Sequence, residues 1–254
     1  MQNALYVGLS KQVVLRREMD VIANNLANMD TNAFKAEGVT FEEYLSSKAR
    51  IGNAAAADQR VSFVRESGST VDFTEGSLQQ TNNPLDLAIR GEGYFVVDTP
   101  QGERYTRNGS FTLNDKGELV TMQGHRVRGQ NGPIQFDQLD RNITIGREGT
   151  ITAINGIQNQ VIERAKLRMV RFDSQNTLVR EGGGLYRAEG QTAQPVKETS
   201  SVIQGSLEKS NVKPILEMSR MMEIMRAYSS ISQMLTNSDN LRKTALDKLS
   251  EVTA

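Results

Sequence analysis

Residues 15–28 read Leu-Arg-Arg-Glu-Met-Asp-Val-Ile-Ala-Asn-Asn-Leu-Ala-Asn. Leu15, Met19, Ile22 and Leu26 recur at spacings of four, three and four. That rhythm lines one apolar stripe along a helix, close to the repeat of a coiled-coil seam. It returns near the other end in Met221, Ile224, Tyr228, Ile231 and Leu235, then fades and resumes at Ala245 and Leu249. Asn24, Asn25 and Asn28 crowd the end of the first stripe, where asparagine tolerates the left-handed conformation that stops helices. A first helix is therefore expected from about Asn3 to about Asn28. A last one is expected from near Asn211 to about Leu249, with Ser210 or Asn211 capping and Pro214 in its first turn. At about 1.5 Å per residue the two span roughly 35 and 55 Å. Isolated amphipathic helices are marginal in water, so both need partner helices.

Outward from these ends the texture changes. Asp30 to Asn32 form a turn signal, Phe34 an apolar anchor, and Lys35 to Arg60 a weakly patterned stretch containing Phe41, Tyr44, Leu45 and Ala54 to Ala57. That stretch is expected to be a linker with a possible short helix. From Val61 the alternation has period two. Strands are expected at Leu85–Ile89, Tyr94–Asp98, Ser110–Leu113, Glu118–Thr121, His125–Arg128, Ile143–Ile145, Lys166–Phe172 and Leu185–Arg187. Pro100-Gln101-Gly102, Asn108-Gly109, Asn114 to Gly117, Gln123-Gly124, Asn131-Gly132-Pro133 and Asn155-Gly156 punctuate them as turns. Many short strands without intervening helices argue for an antiparallel all-β domain. One internal echo brackets this region. Gly76-Ser77-Leu78 precedes Thr81-Asn82, and Gly205-Ser206-Leu207 precedes Ser210-Asn211, consistent with chain exit and re-entry at one junction.

Composition removes several function classes. Lys plus Arg and Asp plus Glu each total 30 in 254 residues, so no net field draws in nucleic acid or an anionic membrane. No stretch approaches 18 apolar residues, so no segment spans a bilayer as a helix. Cysteine is absent, which removes disulfides, thiolate catalysis and cysteine zinc sites together. The first residues lack the pattern of a cleavable signal peptide. Hydrophobic content of 37% points to an extended chain with much surface per residue. Gly91-Glu92-Gly93 and Gly182-Gly183-Gly184 precede strand patterns rather than helices, so hairpin turns explain both better than a phosphate loop. His125 is the sole histidine and reads as a surface strand residue, and no Gly-x-Ser-x-Gly elbow accompanies it. Carboxylates are numerous, but nothing marks a pair suited to glycoside cleavage. Met218, Met221, Met222, Met225 and Met234 form a cluster for which ordinary helix core is favoured over an adaptable interface. With the seam residues they make a stripe wider than one partner helix covers.

The segment Ala23 to Asn28, followed by Thr31 and Phe34-Lys35, closely resembles the N-terminal motif of the bacterial flagellar rod and hook axial proteins. Gly91 to Val97, Tyr105 to Phe111 and Asp115 to Val120 are similar to that family's central β motifs. Ser210-Asn211-Val212, with Met221 and Arg226-Ala227-Tyr228, resembles its C-terminal helix. The likeness covers nearly the whole chain in order; Ala33 departs from it, standing where many members carry glycine before the aromatic. Asn3-Ala4-Leu5-Tyr6 and Ser210 to Pro214 look most like the proximal rod members, with distal rod members as close rivals.

The expected fold is mixed α and β. N- and C-terminal amphipathic helices form a coiled-coil-like inner domain, and a central, mainly antiparallel all-β domain lies between them. The expected divisions are 1–30, a linker at 31–69, an outer β domain at 70–205 and a C-terminal helix at 206–254. The resemblance implies a structural subunit that polymerises helically with copies of itself and with proximal and distal rod proteins. It also implies export by the flagellar type III apparatus, assembly in the periplasm, and the family motif residues Asn24, Asn25, Leu26, Asn28, Thr31 and Phe34. Leu15, Met19, Ile22, Leu26, Met221, Ile224, Tyr228, Ile231 and Leu235 are the expected assembly interface, completed only by neighbouring subunits, so that the ends of a monomer stay disordered. Neither catalysis, cofactor nor metal is expected, and neither nucleic acid nor membrane insertion. The rival reading is a secreted β-domain glycan-binding or glycan-cleaving protein with helical oligomerisation ends; a buried carboxylate pair in a cleft would favour it.

Overall fold

A computed structural model describes residues 2–46, 61–157, 160–197 and 199–252. Both apolar stripes lie on helices, α1 at Gln2–Ala27 and α2 at Pro214–Val252. Pro214 opens α2, where a helix leaves its first N–H groups unpaired in any case. The residue before it is Lys213, whose carbonyl accepts the Leu216 and Glu217 amides, each at 3.0 Å. The expected cap is therefore corrected: Ser210 Oγ accepts the Val212 amide at 3.2 Å, and Asn211 is engaged elsewhere. The described residues fall into two compact units. One draws on Met1–Ala27, Glu37–Asp72 and Lys213–Ala254, the other on Asn28–Ala36 and Phe73–Val212.

In the first unit α1 and α2 pack against each other. Gly8 lies against Leu235, while Glu18 approaches Arg220 at 3.9 Å, so the helices run antiparallel. Gly8 permits the close approach, since a Cβ there would stand 2.8 Å from a Leu235 methyl. The stretch expected as a linker instead contains a long antiparallel pair, Glu37–Ser46 with Val61–Val71. Its register shifts between Thr40 and Phe41, which breaks the period-two alternation and explains why the pattern looked weak. Ala54 to Ala57 lie outside the described residues.

The second unit is antiparallel in every described strand pair. Its main sheet runs in the order Leu178–Glu181, Leu185–Ala188, Gly102–Thr106, Tyr94–Thr99, Arg126–Gly129, Leu119–Thr121, Phe111–Leu113. Tyr94–Thr99 is central and buries both faces. Phe95 and Val97 enter one core with Phe111, Val127 and Ile134, and Tyr94 and Val96 enter another with Tyr105, Phe172 and Tyr186. An unbroken apolar run in a strand reflects that two-sided burial. A three-stranded sheet, Asp140–Ile145, Thr150–Asn155 and Val161–Lys166, lies alongside in sequence.

Turn chemistry located most connections and misassigned two. Gly182–Gly184 joins a hairpin, as expected. Gly91 to Gly93 does not, because the strands on either side of it, Leu87–Arg90 and Tyr94–Thr99, pair with different partners. Nor does Asn108-Gly109: the strands flanking it do not pair, and Gly109 sits so close to Leu87 that a Cβ would overlap the Leu87 carbonyl. The expected strand Lys166–Phe172 is two strands, ending at Lys166 and resuming at Met169. The sequence echo is a physical pairing. Leu78–Gln80 pairs antiparallel with Ser206–Glu208, and the Thr81 and Asn82 amides both donate to the Gly205 carbonyl.

Candidate assembly interface

The seam residues come together within one chain. Leu15, Ile22 and Ile224 are buried, with Met19, Met221, Tyr228 and Ile231 packed on them; Leu235 meets Gly8, and Leu26 is half-buried outside that cluster. The two stripes thus pack on each other, with Met19, Met221, Tyr228, Ile231 and Leu235 left half-buried. Each fully buried Leu or Ile there contributes roughly 1.5–3 kcal/mol.

What stays open is a second stripe. Ile215, Met218, Met222 and Met225 stand at intervals of three, four and three along α2, and each is 46–76% exposed. At about 100° per residue, they face roughly 120° away from the seam. On α1, Leu9 and Val13 are exposed one turn apart. Only Met221 of the methionine cluster is core; Met218, Met222, Met225 and Met234 are exposed, which corrects the expectation of ordinary helix packing for those four. Continuing the antiparallel register from Gly8 against Leu235, about ten residues at the end of α2 run past the start of α1. Leu241 and Ala245 are exposed there, and the Leu249 side chain lies outside the described residues.

The family-motif residues build backbone junctions. In the first unit the buried Asn25 amide donates to the Glu37 carbonyl at 2.8 Å and accepts the Glu37 N–H at 2.9 Å, mimicking a strand neighbour. Asn24 is exposed. In the second unit, Thr31 Oγ1 donates to Asn28 Oδ1 at 3.1 Å, and the Phe34 amide donates to the Thr31 carbonyl. Ala33 holds φ +56°, and its amide donates to the Glu208 carbonyl at 2.8 Å. Phe34 is buried under the Arg180 guanidinium, 4.0 Å from its ring centroid. The Asn211 side chain accepts the Ala36 N–H at 2.7 Å, and its amide nitrogen donates to the Thr74 carbonyl.

A buried ionic group beside this junction escaped the sequence. Lys35 Nζ donates to Glu208 Oε1 at 2.5 Å and to the Thr74 carbonyl at 2.6 Å. Glu208 also accepts the Gly76 N–H and, at 3.5 Å, the Arg107 guanidinium, which donates to the Gly91 carbonyl at 2.8 Å. Burial pushes the Lys35 ammonium below its ordinary pKa, and the adjacent Glu208 carboxylate opposes that. Lys35 and Glu208 are separated by 173 positions, so no local pattern could pair them.

Clefts of the second unit give the rival reading little. One of about 170 Å³ is lined by Asn28, Asn32, Asn108, Gln123 and Arg180 among others, with no carboxylate. Another presents Glu92 and Asp173, both exposed and already bonded, Glu92 by Lys197 at 3.0 Å and Asp173 by Arg171 at 2.6 Å. Among the described residues, no group of three or more His, Cys, Asp or Glu could hold a metal ion, and no helix is long and apolar enough to cross a membrane.

Three family descriptions match along the chain: the flagella basal body rod protein at residues 5–35, the flagellar hook protein FlgE/F/G D1 domain at 88–153, and the flagellar basal body rod FlgEFG protein C-terminal at 203–248. The flagellar basal-body rod protein FlgF of Caulobacter vibrioides is 38% identical over 99% of this chain and 100% of its own length. The chain belongs to the flagellar basal-body rod protein family. The FlgF protein of Mesorhizobium japonicum is 36% identical over 96% of this chain and 98% of its own, and the FlgG protein of Bacillus subtilis 32% over 95% and 97%. Within the rod family the chain is FlgF-like, and it is a structural rod subunit. The rod match at 5–35 spans α1 and the Asn28–Phe34 turn, and the FlgEFG match at 203–248 runs from the Ser206–Glu208 strand through most of α2.

Proposed function

We propose that this chain is a proximal rod subunit that polymerises helically, through contacts that do not close on themselves, into a hollow shaft transmitting torque across the periplasm. The observation that carries the mechanism is the second apolar stripe on α2, together with the uncovered end of that helix and the open face of α1. Leu9 and Val13 of one copy would seat against Met218, Met222 and Met225 of the next. Because the two patches differ, the contact is heterologous, and with an axial rise it generates a tube rather than a dimer. The seam residues act indirectly, holding α1 and α2 as one body that presents both patches. In the rod the helical unit would form a coiled-coil-like inner layer with its neighbours, and the β unit the outer one. Other rod proteins would dock by the same faces, and unbranched methionine side chains suit partners that are similar but not identical. We further assign export to the flagellar type III apparatus, and no catalysis to this chain. The higher identity to the FlgF relatives supports the proximal over the distal place.

Met222→Asp tests this reading. The variant should keep its helix content and its β unit while losing self-association in sedimentation and motility in complementation. Normal association and motility in that variant would remove the assigned face.

A further inference from the structure

Five of the ten methionines of this chain lie in α2, and their surroundings differ sharply. Met218, Met222 and Met225 are 46, 54 and 56% exposed, whereas Met221 packs into the helix seam and Met169 in the β unit is 8% exposed. Spacings of four and three place the exposed thioethers on one face. The chain contains no cysteine, so a peroxide meets no thiol before it meets these sulfurs. Leucine would give the face equal apolar character without that reactivity.

We propose that Met218, Met222 and Met225 form an oxidation site that switches the docking face off in the unassembled subunit. The proposal rests on the assembly reading above. The oxidant is a hydroperoxide: a lone pair of the thioether sulfur attacks the hydroxyl-bearing peroxide oxygen, an S–O bond forms, the O–O bond breaks, and the proton of the attacked oxygen passes to the departing one. The sulfur loses two electrons, and the departing oxygen leaves as water, or as an alcohol from an organic peroxide. Each sulfoxide converts a flexible apolar side chain into a polar, hydrogen-bond-accepting one, and burying it against another subunit leaves that oxygen unsatisfied. Once the face is covered in the polymer the sulfurs are shielded, so the sensitivity belongs to the free chain. Methionine sulfoxide reductases restore the thioether, which makes the switch reversible.

The test uses the full-length chain with hydrogen peroxide as probe. In a dilute, monomeric sample, peptide mass spectrometry should find Met218, Met222 and Met225 gaining oxygen at least about fivefold faster than Met169. Self-association of the oxidised chain, read by sedimentation, should then weaken by about tenfold or more with helix content unchanged. Whatever its association before treatment, the triple variant Met218→Leu, Met222→Leu, Met225→Leu should associate equally before and after peroxide, although Met122, 68% exposed, is still oxidised. Unimpaired association of a chain oxidised at all three positions would overturn the proposal. So would equal loss of association by the triple variant after peroxide. If Met222→Asp associates normally before any peroxide is added, the assembly reading has failed and the inference falls for that separate reason.

Discussion

Ala33 shows how much one backbone angle explains. Its φ of +56° lies in the left-handed region, where an L side chain crowds its own carbonyl and glycine does not. The family resemblance marks this as a position where many members carry glycine, and the angle supplies the reason. Ala33→Gly should therefore stabilise the second unit by about 0.5–1 kcal/mol, the relief of strain exceeding the added chain entropy; an unchanged or lower urea midpoint would contradict it. Tyr94 makes a pH prediction. Burial, the largest influence on it, raises its hydroxyl well above the ordinary 10.0, with the Arg107 guanidinium opposing. Above pH 10.0 the unfolded chain has lost the Tyr94 proton while the folded chain keeps it, so stability falls as pH rises. Tyr94→Phe should flatten that alkaline decline, measured as urea midpoints from neutral pH to about pH 11.

At the scale of elements, the helices were legible because their apolar spacing is local, and α1 lies within a residue of its expected ends. The Glu37–Ser46 strand was not legible as the partner of Val61–Val71, because a register shift between Thr40 and Phe41 breaks its alternation. Asn108-Gly109 misled for a different reason. The dipeptide reports a backbone able to adopt unusual angles or a close approach, and here the approach is to Leu87 rather than around a hairpin. The helix pair should behave as one cooperative element. Ile224→Ala, at the centre of the buried cluster, should cost that unit about 2–4 kcal/mol. Amide exchange should accelerate through α1 and α2 together, while Tyr94–Thr99 and Arg126–Gly129 keep their protection. Exchange that quickens in α2 alone would show that α1 does not depend on the seam.

At the scale of the molecule, a heterologous contact has a consequence that an isologous one lacks. A Leu9→Asp subunit keeps its α2 face, and a Met222→Asp subunit keeps its α1 face. Each alone should be monomeric, and an equimolar mixture should form dimers and stop there, read by sedimentation velocity. A mixture that stays monomeric would place the contact elsewhere. Local pattern alone establishes that both ends are amphipathic helices, that the middle is antiparallel β-structure, and that the chain resembles the flagellar axial proteins. These follow from periodicities and motifs written over a few consecutive residues. Packing of the folded chain settles which apolar residues cover each other and which stay open. It turned the seam at Leu15, Ile22 and Ile224 inward and left Met218, Met222 and Met225 outside. It also joined Lys35 to Glu208 across 173 positions. A stripe on a helix states that a face must be buried but not against what, because its partner is chosen by packing between segments far apart in the chain.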